Sequence, residues 1–258
     1  MGDWIISIDA GTSNTRVFLW RAGRLAGAQR RETGVRDTAA DGDNRRLRAA
    51  VRDALEALLR EAGLGWADVR RMLASGMITS NVGLYELAHV TAPASPDDLA
   101  RGAKAVRLED VCPLPIVFIP GVKNRAAAVT TQNFETMDIM RGEEVETFAL
   151  LQRLDPSGEW LIVLPGSHTK FVAVDGAGRI AGCLTSITGE LLASLTQHTI
   201  LADAVARGFV SEETYDREMT LLGYETAARV GLGRACFSAR ILSQFAGERP
   251  EQIGRAHV

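Results

Sequence analysis

The chain has 258 residues, enough for one large or two ordinary domains, and its 46% hydrophobic and 24% charged residues are typical of a soluble globular protein. A formal net charge of −3 at pH 7 provides no basic surface, so we expect no nucleic-acid partner. The apolar runs are strand-sized and no signal peptide precedes the first of them, so we expect a cytoplasmic protein without a membrane span.

The first half of the chain predicts a sheet with helices on its faces. Three strands joined by tight turns open it, as an antiparallel meander requires: Trp4–Ala10, Thr15–Arg21 and Arg24–Arg31. A helix follows, because apolar residues recur at helical spacing between caps at Asp41–Asn44 and a stop at Gly63. Short strands at Met72–Ser75 and Pro115–Ile119 complete the order βββαβαβ, which fits a mixed five-stranded α/β sheet.

The second half repeats the meander, with an offset of 155 or 156 residues between the copies. Its three predicted strands are Trp160–Leu164, Thr169–Asp175 and Arg179–Ser186. The predicted helices are Asp138–Arg153 before the meander, then Gly189–Arg207, Ser211–Gly223 and Thr226–Gln244. Nothing equivalent to the last two strands of the first half follows. We therefore expect an N-terminal domain, residues 1–125, and an incomplete C-terminal domain, residues 126–252.

The last six residues, 253–258, are expected to be non-native. Ile-Gly-Arg-Ala-His-Val is one reading of ATC GGA AGA GCA CAC GTC, which resembles a common sequencing adapter. We therefore expect the natural reading frame to continue beyond about Gln252. A genuine short protein is the alternative.

The turn between the first two strands is predicted to bind phosphate. Glycine lets the backbone approach a ligand closely, consecutive turn N–H groups form an anion nest, and hydroxyls add donors. The residues concerned are Gly11, Thr12, Ser13 and Asn14. A carboxylate beside phosphates needs an intervening cation, so Asp9 is predicted to be a Mg²⁺ ligand. An ordinary hairpin turn is the alternative, because these residue types also favour turns.

The second meander carries a similar turn, which makes the phosphate interpretation stronger than one copy would. The residues predicted to bind phosphate there are Gly166, Ser167, His168, Thr169 and Lys170. Lys170 could neutralise a phosphate as a point charge or be a solvated lysine at a strand end. His168 could donate to phosphate or substrate, or bond to the turn backbone.

Paired carboxylates open the helix before the second meander. Glu143 and Glu144 suit general-base work on a hydroxyl. Favourable charge at the positive end of the helix dipole is the alternative, and spacing alone favours it. Lys123 follows the fifth strand, where it could meet an anionic substrate or lie in a solvated loop.

These motifs together resemble the actin, heat-shock chaperone and sugar-kinase superfamily, and within it the 2-dehydro-3-deoxygalactonokinase family. The matching segments are Asp9–Arg16, Met140–Glu144, Leu164–Lys170 and Thr188–Leu191. The resemblance runs to about Glu251 and implies two ribonuclease-H-like domains, the second incomplete. It implies ATP and Mg²⁺ as cofactors, with both turns on the ATP phosphates.

The resemblance also implies a reaction. The γ-phosphate of ATP would pass to the terminal (C6) hydroxyl of 2-dehydro-3-deoxy-D-galactonate, in galactonate catabolism. Glu143 maps to the base, with Glu144 second, and Ser80 and Asn81 match a sugar-side loop more loosely. The candidates for the sugar-acid carboxylate are Arg16, Lys123 and Arg141.

Family members continue into a nucleotide-holding glycine motif that is not found here, so weak or absent turnover is expected. The alternatives are a kinase of another sugar or sugar acid, a non-catalytic sugar-acid sensor, and an ATP-driven chaperone or activator. The sequence does not determine the oligomeric state, and a homodimer is compatible with it.

Overall fold

The computed structural model describes residues 3–126, 128–154, 158–208 and 215–246. The chain falls into two compact units. Unit 1 comprises Met1–Leu164 and Lys170–Thr185, and unit 2 comprises Pro165–Thr169 and Ser186–Val258. The expected tail, residues 253–258, lies outside the described residues. The expected domains and their ribonuclease-H-like character stay predictions, whereas the mixed α/β class is confirmed.

The strands are numbered in chain order. They are β1 (Trp4–Ala10), β2 (Thr15–Arg21), β3 (Arg24–Arg31), β4 (Val69–Gly76), β5 (Val90–Thr91), β6 (Lys104–Val106), β7 (Ile116–Phe118), β8 (Val122–Lys123), β9 (Ile139–Met140), β10 (Trp160–Leu164), β11 (Thr169–Val174) and β12 (Ile180–Ser186). The helices are α1 (Val35–Asp41), α2 (Arg45–Ala62), α3 (Pro96–Gly102), α4 (Glu143–Leu151), α5 (Thr188–His198), α6 (Arg217–Val230) and α7 (Leu232–Ile241). Among the described residues, no helix is both long enough and apolar enough to cross a bilayer.

The main sheet of unit 1 has the strand order β3-β2-β1-β4-β7-β6. β1 pairs antiparallel with β2 and parallel with β4, so β1 and β4 end at the same edge of the sheet. Leu47, Val51 and Leu55 of α2 pack into one core with Ile6 and Ile8 of β1. The five predicted strands are present. β6 adds an antiparallel edge strand, which was not predicted because three residues are too few to show the alternation of apolar and polar side chains.

Unit 1 also contains two three-stranded sheets, β5-β8-β9 and β10-β11-β12. Their buried side chains form a second core with Val122, Met140 and Ile162 among its members. The predicted helix over Asp138–Arg153 is wrong at its start, because β9 pairs there with β8 and α4 begins only at Glu143.

Unit 2 is described as helices α5, α6 and α7. The predicted helix Gly189–Arg207 is too long, because α5 ends at His198, where the Thr199 hydroxyl bonds back to the Leu195 carbonyl at 2.6 Å. The break predicted between Gly223 and Thr226 is also wrong. Both lie inside α6, and the chain breaks at Gly231, whose φ is +82°. Residues 211–214 of the predicted helix Ser211–Gly223 lie outside the described residues.

Candidate active site

Asp9 lies at the end of β1, where three strands of the main sheet meet. Its sheet partners are Arg16 on β2 and Ser75 on β4. An Arg16 Nη2 to Asp9 Oδ2 distance of 2.5 Å defines an ion pair between half-exposed side chains. Gly76 follows on β4 with a φ of +87°, and a Cβ there would lie 2.8 Å from Asp9 Oδ1. A glycine is therefore needed at position 76 for the Asp9 carboxylate to keep this position.

The first predicted phosphate turn is closed by a bond from Gly11 N–H to the Asn14 carbonyl at 2.9 Å. It rests on the start of α1, because the Val35 N–H donates to the Gly11 carbonyl at 3.1 Å. A Cβ at Gly34 would lie 2.4 Å from the Thr12 carbonyl oxygen, so backbone packs directly on backbone. The Thr12 and Ser13 side chains stay exposed, as a turn that receives a ligand requires.

The second predicted turn has the same support within unit 2. The Glu190 N–H donates to the Ser167 carbonyl at 3.1 Å, and a Cβ at Gly189 would lie 2.4 Å from the Gly166 carbonyl oxygen. His168 Nε2 lies 2.9 Å from Glu190 Oε2. Gly34 and Gly189 are 155 positions apart, as are Gly11 and Gly166. The sequence analysis missed this glycine pair, which extending the repeat at its own offset would have found.

The segment that carries the predicted base packs against the end of β4. Gly142 has a φ of +112°, and a Cβ there would lie 3.2 Å from the Gly76 Cα. Gly76 is thus in contact with Asp9 on one side and with the start of α4 on the other. Burial raises the pKa of Glu146, and the charges of Glu143 and Asp9 raise it further. The structure therefore brings Asp9 and the carboxylates of α4 together.

Glu143 and Glu144 differ sharply in environment. Glu143 is half-buried, and its Oε2 accepts a bond from the Arg141 N–H at 3.0 Å. Glu144 is fully buried, and both of its oxygens accept from the Gly142 N–H, at 2.9 and 2.8 Å. Burial raises the pKa of Glu144 to about 8, although the backbone N–H groups of Glu144 and Gly142 oppose the rise. Glu144 therefore holds the turn, and Glu143 is the better placed to meet a substrate.

We expect glutamine at Glu144 to remove a pH dependence of stability. Between the ordinary pKa of 4.5 and the folded value of about 8, the unfolded chain loses a proton that the folded chain keeps. The free energy of unfolding of the wild-type chain then falls as pH rises, by up to about 1.4 kcal/mol per pH unit. Melting temperatures of both proteins from pH 5 to 8 measure this, and E144Q should show the shallower decline. Parallel curves would mean that the folded state does not hold the Glu144 proton.

Lys170 has partners of a different kind from those predicted. It is buried, with 7% of its surface exposed. Its Nζ donates to the Ile139 carbonyl at 2.6 Å and to Thr185 Oγ1 at 2.5 Å, and lies 4.0 Å from Asp138 Oδ1. These bonds tie β11 and β12 to the strand that leads into the base segment. The predicted contact of Lys170 with phosphate stays a prediction.

Methionine at Lys170 is expected to lower the free energy of unfolding by about 2–4 kcal/mol, because it removes the bonds to Ile139 and Thr185 and leaves the partly buried Asp138 carboxylate without its cation. Urea unfolding measures this loss, and K104M, which changes an exposed lysine, is the matched control. If Lys170 only anchors the strands, K170M should have a lower kcat than the wild-type chain and the same KM for ATP. A KM for ATP raised tenfold without loss of stability would instead support the phosphate contact.

The predicted substrate residues are all in unit 1 but are not equally available. Arg141 donates to backbone and hydroxyl oxygens, and the hydroxyl of the buried Ser80 donates to the Met77 carbonyl at 2.7 Å. Asn81 is exposed and Lys123 is half-buried. Arg16 is already paired with Asp9. Availability thus favours Lys123 and Asn81 over the other three.

The donor set suits a magnesium ion that is held mainly by phosphates. Among the described residues, no three His, Cys, Asp or Glu side chains are grouped to hold a metal ion. Mg²⁺ in phosphoryl-transfer sites is held by one or two carboxylates, with phosphates and water completing its shell. Asp9, at the end of β1 and just before the Gly11–Asn14 turn in the chain, fits that pattern if its ion pair with Arg16 opens.

Fold and site together define a mixed α/β protein with two glycine-hydroxyl turns, in which Asp9 at the end of β1 lies within electrostatic range of α4. A crystal structure of a candidate 2-dehydro-3-deoxygalactonokinase from Sinorhizobium meliloti shares this fold, with a TM-score of 0.73 at 24% identity, over 98% of this chain and 77% of that one. The 2-keto-3-deoxy-galactonokinase family matches residues 9–256, and the chain belongs to this family.

Two curated relatives support that membership. A protein of Rhizobium meliloti (strain 1021), named as a probable 2-dehydro-3-deoxygalactonokinase, is 32% identical over 51% of this chain and 39% of its own length. The 2-dehydro-3-deoxygalactonokinase of Escherichia coli (strain K12) is 28% identical over 76% of this chain and 58% of its own. The matches thus span less than two thirds of each relative.

Proposed function

We propose that this chain is an ATP-dependent sugar-acid kinase. It transfers the γ-phosphoryl group of ATP to the C6 hydroxyl of 2-dehydro-3-deoxy-D-galactonate, a step of galactonate catabolism. Family membership supports the reaction class. The observation that carries the proposal is the contact of Gly76 with both Asp9 and Gly142, because it joins a phosphate-side carboxylate to the base segment.

Each group then has a stated task. Phosphoryl transfer needs little covalent chemistry from the protein, which supplies alignment and charge neutralisation. Glu143 accepts the proton of the attacking hydroxyl. The Gly11–Asn14 and Gly166–Thr169 turns donate N–H and hydroxyl groups to phosphate oxygens. Asp9 would hold Mg²⁺, which supplies charge neutralisation when bound.

A cavity in unit 2 is proposed for the nucleoside. It has a volume of about 290 Å³ and lies between α5, α6 and α7. Its walls are mainly apolar, with Leu191, Leu195 and Ala227 among them, and Thr188 and Tyr224 add polar groups. Apolar walls with a few polar groups are usual for sites that bind small molecules and cofactors. The cavity includes the start of α5, which also supports the second turn.

The test is phosphorylation by the 258-residue chain across a panel of sugars and sugar acids. We expect ADP release that requires ATP, Mg²⁺ and 2-dehydro-3-deoxy-D-galactonate together, with the new phosphate on C6 by ³¹P–¹H correlation. Turnover of another sugar would reassign the substrate. Binding of the sugar acid without turnover would favour a sensor instead.

A further inference from the structure

One face of the small sheet β5-β8-β9 gathers basic side chains around a glycine. Arg141 directly follows β9 and His89 directly precedes β5, and both pack over Gly121. A Cβ at Gly121 would lie 2.7 Å from the Arg141 Cγ and 3.0 Å from the His89 Cδ2. Lys123 lies two residues further along the same chain segment. Only glycine at position 121 leaves room for this arrangement.

Arg141 is held by uncharged acceptors. Its Nη1 donates to the Thr79 carbonyl at 2.6 Å and hydroxyl at 2.8 Å, and its Nη2 donates to the Leu87 carbonyl at 2.8 Å. The Arg141 charge is therefore not neutralised by a hydrogen-bonded carboxylate. Glu144 contributes little negative charge at pH 7, because burial raises its pKa to about 8. The charges of Glu144 and Glu86 act on Arg141 without a hydrogen bond to it within the described residues, and they oppose the lowering of its pKa by burial.

Arg141 also determines which nitrogen of His89 carries the proton. Its Nη2 lies 3.5 Å from His89 Nδ1. A guanidinium can only donate, so Nδ1 is the acceptor and Nε2 carries the hydrogen. Burial, with the charges of Arg141 and Lys123, lowers the pKa of His89 to about 4, so the ring is neutral at pH 7. His89 therefore presents one N–H donor.

That donor has no acceptor. His89 Nε2 is shielded from solvent and has no hydrogen-bond partner among the described residues. Leaving a buried donor unpaired is unfavourable and is rare in native structures. Lys123 is half-buried, and within the described part of the chain its ammonium makes no ion pair or hydrogen bond. Within the described residues, the cluster thus has two donors without partners, near a guanidinium whose hydrogen bonds go to uncharged groups.

We propose that Lys123 and the Nε2–H of His89 bind the carboxylate of the sugar acid. The inference rests on the proposed function and identifies the part of the proposed substrate that this cluster binds. A carboxylate provides the two acceptor oxygens that these donors lack. Arg141 is followed two residues later by Glu143, whose Oε2 accepts the Arg141 backbone N–H at 3.0 Å, so the cluster is joined directly to the base segment.

The test is calorimetric binding of 2-dehydro-3-deoxy-D-galactonate and of its neutral C1 amide to the full chain. We expect the wild-type chain to bind the acid at least tenfold more tightly than the amide. K123M should weaken acid binding by about 10–100-fold and amide binding by less than threefold. H89L should weaken acid binding by about 5–10-fold, and H89Q, which keeps an N–H donor, should recover most of that loss.

K104M, which removes an exposed lysine, should bind both compounds as the wild-type chain does. Thermal unfolding of each variant shows that it is folded. If the wild-type chain prefers the acid and folded K123M and H89L keep that preference, the carboxylate is bound elsewhere and this proposal alone is wrong. A wild-type chain that binds neither compound contradicts the proposed function and this subsite together.

Discussion

Replacing Glu143 by glutamine is expected to lower kcat by about 10²–10⁴-fold, the usual effect of removing a general base. The amide keeps the size of the side chain and can still accept the Arg141 N–H bond that now measures 3.0 Å. The start of α4 should therefore keep its conformation and the KM values should change little. A coupled assay of ADP release with 2-dehydro-3-deoxy-D-galactonate measures the effect.

The matched control is Glu56→Gln, an exposed position on α2 in the same unit. It should retain full activity. Near-normal turnover in E143Q, with a loss in E144Q or E146Q, would move the base to that residue. Glu144 is the weaker candidate, because both its oxygens already accept a backbone N–H and it has no exposed surface.

Elements with local signals could be predicted from the sequence. β1, β2 and β3 match their predicted bounds, and α2 lies between the predicted caps and the stop at Gly63, whose φ is +65°. The short strands β5, β6, β8 and β9 could not be predicted, because they exist only through pairing with other segments, whereas the apolar run of β7 was predicted at Pro115–Ile119. The carboxylates after Gly142 do open α4, but the predicted helix began too early, at Asp138, because Ile139 and Met140 pair with β8.

The candidate site divides in the same way. Asp9, Glu143 and the two turns were predicted as site residues from local motifs. Their roles stay predictions. The contact of Gly76 with both Asp9 and Gly142 exists only in the folded chain, and no periodicity of the sequence predicts it. His89 belongs to no motif, and only the packing of Arg141 over Gly121 reveals its unpaired nitrogen.

Alanine at Gly34 or at Gly189 is expected to lower kcat/KM for ATP by at least tenfold. Each new Cβ would lie 2.4 Å from a carbonyl oxygen, that of Thr12 or of Gly166, and no real Cβ contact is that short. Since both neighbours are backbone, the turn itself must shift rather than a side chain. The N–H groups that would receive phosphate then lose their alignment, which costs at least about 1.4 kcal/mol of transition-state binding.

Gly233→Ala is the matched control, because a Cβ there meets nothing within 4 Å and the residue lies in α7. It should leave kcat/KM unchanged and raise stability by about 0.5–1 kcal/mol. Calorimetric ATP binding supplies a readout that does not depend on turnover. If folded G34A and G189A both bind ATP as the wild-type chain does, neither turn holds phosphate. If only one of them loses affinity, the repeated turns have diverged in function although they keep the same packing on a glycine.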